Sequence, residues 1–280
     1  MPTALITGAS RGLGRAAARA LAARGWSLVA DARHPGDLAA ALDGLAGAVA
    51  IPGDVTDHAH RARLAAAAAR AGHLDLLINN ASRLGPSPQP HLRAYPADEL
   101  RRVYDTNVFA PLALIQRLLE PLTAAGGTII NVSSDAAAEP YPGWGGYGSA
   151  KAALDQLTAI LAAEEPSLRC YAFDPGDMRT GLHQQAFPGE DISGRPEPET
   201  VIPALLRLIG ERPPSGRYQA SALSAAAVTQ PQVPGPSADR GASGTGQRQR
   251  YPGAGDQPPP APAGEPAARP GPAPAREAGR

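Results

Sequence analysis

Short apolar runs recur from the N-terminus to about residue 220, separated by longer Ala-rich stretches in which apolar positions follow a helical spacing. The runs are ALIT (4–7), SLVAD (27–31), GAVAI (47–51), DLLIN (75–79), TIINVS (128–133), RCYAF (169–173) and a last short one, GRYQA (216–220). Runs this short and this apolar read as strands buried on both faces, and the helices between them supply the crossovers that parallel strands require. The pattern predicts an α/β fold, a doubly wound parallel sheet in three layers, built as one domain over residues 1–221.

From residue 222 the pattern stops. Aliphatic residues nearly vanish and Pro/Gly-rich tracts such as QPPPAPAGEPAARPGPAPA take over. A segment of that composition lacks the apolar area to offset its chain entropy, so 222–280 is expected to be a disordered tail. It is either a plain extension or a ligand for a polyproline-binding module.

The formal net charge is zero, which argues against nucleic acid or an anionic membrane as partner and favours a small neutral substrate. No basic leader precedes an apolar segment, and nowhere do eighteen apolar residues run together, so a cytoplasmic setting is expected. The one cysteine, Cys170, sits in an apolar run and reads as a small buried side chain. No metal site is expected.

Chemistry enters at TGASRGLG, where Gly8, Gly12 and Gly14 lie between the first strand and the first helix. A tight turn, a close approach of backbone to a diphosphate, and close packing of the helix each call for a residue without Cβ. The second strand ends in VADARHP. Counting from Gly25 puts Ala32, followed by Arg33, at the position facing an adenosine ribose, with Arg11 as a second cation for a phosphate there. That register favours NADP(H). A shift of one residue would bring Asp31 to the ribose and favour NAD(H).

The only lysine among some twenty-five arginines is Lys151, four residues after Tyr147 in YGSAK. On a helix the two share a face, with Cβ atoms about 6 Å apart. Lowering a tyrosine from about 10 to about 7 needs about 4 kcal/mol of phenolate stabilisation. A compact ammonium in a partly desolvated site can supply energy of that order. Ser134, thirteen residues earlier at the end of TIINVSS, is placed to hydrogen-bond a substrate oxygen beside the phenol, whereas Ser133 should face the other way. Asn107 falls inside an amphipathic helix, where an inward amide needs a role.

TGASRGLG, NNAS (79–82), Asn107, Ser134, YGSAK and DPGDMRT together resemble the short-chain dehydrogenase/reductase family over nearly all of the first 220 residues. The resemblance implies a Rossmann-type fold, a bound nicotinamide cofactor and a Ser134–Tyr147–Lys151 site, with Asn107 holding a water in a proton relay. It also implies cofactor contacts from Ser10 and Leu13 in the loop, Asp54 and Val55 at the adenine, Asn80 and Ala81, Pro175 and Gly176, and Thr180 at the carboxamide, beside Tyr147 and Lys151. Ser82 departs from the glycine usual there. The last strand lacks the usual glycine-rich ending, which tells against a tetramer through that edge and leaves a homodimer through the helix after Tyr147.

The segment after Thr180 and the loop carrying Tyr141 and Trp144 are expected to meet the substrate, the former as a lid; within it His183 and Phe187 either line the pocket or, for His183 no less readily, face solvent, and neither is counted as catalytic. The implied activity is hydride transfer to a carbonyl or from an alcohol. The alternative is an NADP(H)-binding sensor or scaffold that acts through its tail.

Overall fold

All seven runs form strands in the computed structural model, which describes residues 1–226. They are β1 (Thr3–Ile6), β2 (Ser27–Ala32), β3 (Ala48–Pro52), β4 (Leu76–Asn79), β5 (Thr128–Val132), β6 (Arg169–Asp174) and β7 (Gly216–Gln219). Every pairing is parallel, in the order β3-β2-β1-β4-β5-β6-β7. The order reverses between β1 and β4, and the crevice beyond the carboxyl ends of those two strands is where a Rossmann-type sheet binds ligands.

Helices α1 (Gly12–Ala22), α2 (Pro35–Leu42), α3 (His58–Arg70), α4 (Ala97–Tyr104), α5 (Ala110–Ala125), α6 (Gly145–Glu164), α7 (Gly181–Ala186), α8 (Ile202–Glu211) and α9 (Ala220–Ala226) connect and cover the strands. Alternation along a strand divides the core in two. Ala4 and Ile6 of β1 pack with Leu21 of α1 and Leu205 of α8, whereas Leu5 packs with Leu64 of α3 and Leu118 of α5. This is the three-layer sandwich that the strand pattern predicts.

Two details add to that reading. α9 carries regular structure through Ala226, past the expected domain end at 221. The rest of the expected tail lies outside the described residues. α4 and α5 form one helical run, Ala97–Ala125, joined by a π-helical turn at Asp105–Phe109. Its most apolar stretch has a mean hydropathy of 1.2, enough by length and composition to cross a membrane. Leu114, Ile115, Leu118 and Leu122, however, bury against the sheet.

Candidate active site

A cleft of about 460 Å³ opens at the carboxyl ends of the strands. The glycine loop forms one wall. Gly8 and Gly12 take positive φ, +66° and +55°, which a side chain would strain. At Gly14 the constraint is contact: a Cβ there would stand 2.4 Å from the Gly8 carbonyl oxygen and 2.5 Å from Asn80 Nδ2. The first turn of α1 has no side-chain cap, so its amides face the cleft ready for an anion. Asn80 fixes the loop from β4, donating from Nδ2 to the carbonyls of Thr7 (2.9 Å) and Gly8 (3.1 Å). Asn80 and Ala81 in turn donate their amides to Thr7 Oγ1, both at 3.0 Å. A loop held this way, with free helix-terminal amides, fits the diphosphate of a dinucleotide.

At the end of β2, Asp31 is buried and engaged on both oxygens. Oδ1 accepts from the Gly8 amide at 2.9 Å, and Oδ2 pairs with His60 Nε2 at 2.9 Å. Arg63 stands at the other ring nitrogen of His60, 3.0 Å away. A guanidinium only donates, so Nδ1 accepts and the proton sits on Nε2, facing Asp31. Burial pushes the Asp31 carboxyl up, opposed by these hydrogen bonds. Ala32, Arg33 and His34 follow it along the cleft, as do Asp54 and Val55 from the end of β3. Asp54 Oδ1 accepts from the amide and hydroxyl of Thr56, both at 2.8 Å. Arg11 extends toward Gly181 at the start of α7. The paired clamp on a phosphate would therefore need Arg11, which is exposed, to turn back toward Arg33.

Ser134, Tyr147 and Lys151 meet on the opposite wall. Ser134 lies just past β5, with its hydroxyl donating to Asp135 Oδ1 at 2.8 Å and accepting from the Ala136 amide at 3.2 Å. Ser133 is turned away toward Asp155, as alternation predicts. Lys151 is buried and donates Nζ to the Val132 carbonyl at 2.6 Å, 5.5 Å from the centre of the Tyr147 ring. Burial pushes Lys151 down to about 8, with Asp155 opposing. Burial likewise pushes the Tyr147 phenol up to about 12, opposed by the adjoining hydroxyls of Ser82 and Ser134. The expected lowering of Tyr147 toward 7 is absent from this arrangement: desolvation outweighs the ammonium, which is aimed at a carbonyl.

Asn107 is completely buried in the π turn. Its side chain grips the segment after β4, donating to the Arg83 carbonyl at 2.8 Å and accepting from the Arg83 amide at 2.9 Å and from Ser82 Oγ at 3.2 Å. The amide oxygen and one of the two amide N–H groups are thus engaged by protein.

One further side chain has no counterpart in the sequence reading. Arg217 of β7 donates to the Ser134 carbonyl and to Asp174, each at 2.9 Å, and to Asp155 at 3.1 Å. Trp144 meets Tyr147 edge-on, with ring centres 5.9 Å apart. Pro175, Gly176 and Thr180 line the cleft beyond β6, and Thr180 caps α7 through the His183 amide at 3.2 Å.

A sequence model of the short chain dehydrogenase family matches residues 2–191. The chain is 37% identical over 187 residues to the short chain dehydrogenase/reductase AacuD of Aspergillus aculeatus, a match that spans 64% of each chain. It is 33% identical over 199 residues to the sepiapterin reductase of Mus musculus, covering 65% of this chain and 76% of that one. Among solved structures it is similar to an alcohol dehydrogenase from the archaeon Thermococcus sibiricus complexed with 5-hydroxy-NADP. There the TM-score is 0.68 and the identity 26%, over 78% of this chain and 95% of that one.

Proposed function

Because this chain belongs to the short chain dehydrogenase family of oxidoreductases, we propose that it transfers hydride between NADP(H) and a small carbonyl or secondary-alcohol substrate, chiefly as a reductase. The observation that carries this reading is that Ser134, Tyr147 and Lys151 line the same cleft as the glycine loop.

The bound nicotinamide would supply the hydride. The chain's own residues do the rest. Ser134 fixes the substrate oxygen, and Tyr147 gives it a proton as charge develops there. A phenol pushed up to about 12 is protonated at neutral pH, which suits a donor and favours reduction over oxidation. Lys151 carries the neighbouring positive charge. Asn107 holds residues 82–83 in place through its side chain and holds the relay water that passes the proton on.

The preference for NADP(H) rests on Asp31. Its carboxylate is engaged by Gly8 and His60, which leaves Ala32 and Arg33 to meet the ribose and argues for the 2′-phosphate. The bound ligand in the Thermococcus sibiricus structure supports the same choice. We also propose a homodimer through α6, where Ile160 is exposed; sedimentation would report it.

The test is reduction of a broad carbonyl panel, followed at the cofactor's absorbance with NADPH and with NADH. The proposal expects carbinol products and faster turnover with NADPH. A protein that binds NADPH tightly and reduces nothing would overturn it.

A further inference from the structure

The Ser134 hydroxyl is already committed. It donates to Asp135 Oδ1 at 2.8 Å, and its oxygen accepts from the Ala136 amide at 3.2 Å. A hydroxyl has one hydrogen, so while it points at Asp135 it cannot serve a substrate oxygen. Asp135 lines the cleft together with Ser134 and Tyr147. Its other donors are the Ala136 amide, on Oδ1 at 2.9 Å, and the Tyr141 hydroxyl, on Oδ2 at 3.1 Å. All three partners are uncharged, and no Lys, Arg or His pairs with Asp135 among the described residues.

The two neighbouring carboxylates of this end of the cleft are matched by counter-ions. Asp174 is paired with Arg217 and Asp177 with Arg195, each at 2.9 Å. Of the three, Asp135 alone lacks one. Its hydrogen bond and its charge push the Tyr141 phenol up.

Negative charge develops on a carbonyl oxygen as hydride arrives, and sites that stabilise it are built from donors and positive charge. An uncompensated carboxylate one hydrogen bond from that oxygen opposes the reaction, and it holds the hydroxyl meant for the substrate. A cation at Asp135 removes both obstacles: it neutralises the field and releases the Ser134 hydroxyl. The described residues supply no such cation, since Lys151 is turned to the Val132 carbonyl. That leaves the substrate to bring it.

We infer that the substrate is an amino ketone, with its ammonium bound at Asp135 as the specificity-determining contact and its carbonyl at Ser134 and Tyr147. The inference rests on the proposed reductase reading for the place of the carbonyl; the uncompensated carboxylate is independent of that reading. Asp135 Oδ1 lies 2.8 Å from Ser134 Oγ, and the carbonyl oxygen stands one further hydrogen bond away, about 2.8 Å. An ammonium one or two carbons from the carbonyl spans that distance. The zero net charge of the chain averages over this local charge and does not oppose a cationic substrate.

The test uses three ketones that share a frame and differ in the charge at its end. They are 3-(dimethylamino)-1-phenylpropan-1-one as its ammonium ion, the neutral isostere 4-methyl-1-phenylpentan-1-one, and the anion 3-benzoylpropionate. Each is assayed at pH 7 as a substrate with NADPH, and as a ligand by quenching of tryptophan fluorescence, Trp144 lining the same cleft. The expected result is a preference of roughly 10- to 100-fold in kcat/KM for the ammonium ketone over the neutral one, with the anion poorest. Asp135→Asn keeps an acceptor for the Ala136 amide and removes the charge, and should bring the ammonium and neutral ketones within about threefold of each other. The wild-type ranking is a test in itself should the variant not fold. If none of the three is reduced but the ammonium ketone binds best, and only with Asp135 present, the Asp135 site stands and the reductase reading fails. Equal handling of the ammonium and neutral ketones by the wild type, a preference for the neutral or the anionic one, binding of none, or an ammonium preference that persists in Asp135→Asn would overturn the inference.

Discussion

Lys151 turns its ammonium to the carbonyl of Val132, 2.6 Å away, at the end of the strand that leads into Ser134. The same nitrogen stands 5.5 Å from the centre of the Tyr147 ring. Burial therefore acts on both groups in one direction, toward the uncharged form: Lys151 down to about 8 and Tyr147 up to about 12. The pair is stocked with protons at neutral pH.

That arrangement predicts how reduction depends on pH. The rate of the single-turnover reduction should be level from pH 6 to nearly 8 and fall above about 8, as Lys151 loses its charge. Lys151→Arg, which stays charged throughout, should lower the rate but abolish the decline near 8. A wild-type profile still level at pH 10 would contradict the assignment.

Stability should move the other way. The unfolded lysine titrates near its ordinary 10.5 and the folded one near 8, so between those values the unfolded state binds more protons and stability rises with pH. The gain is on the order of 3 kcal/mol. Urea unfolding of wild type and Lys151→Met at pH 8 and pH 10.5 should show the wild type gaining on the variant by up to that amount. An unchanged difference would contradict it.

Arg217 joins β7 to the Ser134 carbonyl, to Asp174 and to Asp155. It touches no reacting atom in this account, so Arg217→Met should act by misplacing Ser134. We expect kcat to fall about 10- to 100-fold, the scale of a lost positioning contact, with NADPH affinity within a few-fold of wild type. Stopped-flow kinetics with calorimetry would separate the two effects.

Cofactor choice should turn on one side chain. Ala32 lines the cleft directly after the engaged Asp31. Ala32→Asp should offer a carboxylate to the ribose hydroxyls and repel a 2′-phosphate, lowering the NADPH/NADH ratio of kcat/KM by roughly 100-fold. An unchanged ratio would mean that the ribose is read elsewhere.

The glycine loop gives a prediction about packing. A Cβ at Gly14 would meet the Gly8 carbonyl oxygen at 2.4 Å, a backbone atom rather than the end of a flexible side chain. Gly14→Ala should cost roughly 1–3 kcal/mol of stability as an overpacked site, read as a lower urea midpoint at unchanged slope. Gly36→Ala, where nothing stands within 4 Å, is the control.

The strands were legible because a parallel sheet buried on both faces writes itself as short apolar runs, and the spacing of Tyr147 and Lys151 is a local helical property. What escaped was long-range or environmental. His60 meets Asp31 across 29 positions, and Arg217 meets Ser134 across 83; neither pair leaves a mark in either local sequence. The π turn that buries Asn107 breaks no apolar pattern. For Tyr147 the charge of Lys151 could be counted from the sequence, but the depth of burial, which decides the direction of the shift, could not. For His183 the sequence leaves a pocket-lining and a solvent-facing position equally open, and only the fold buries it in the wall of the cleft.

The central claim is that Tyr147 is the proton donor of a working hydride-transfer site. Its most direct test is single-turnover reduction by NADPH-loaded wild type and Tyr147→Phe, side by side, with NADPH affinity measured on both. The account predicts that the variant binds NADPH within about threefold of wild type and loses at least about a thousandfold in the reduction step. A variant that keeps more than about a tenth of the wild-type rate would contradict it.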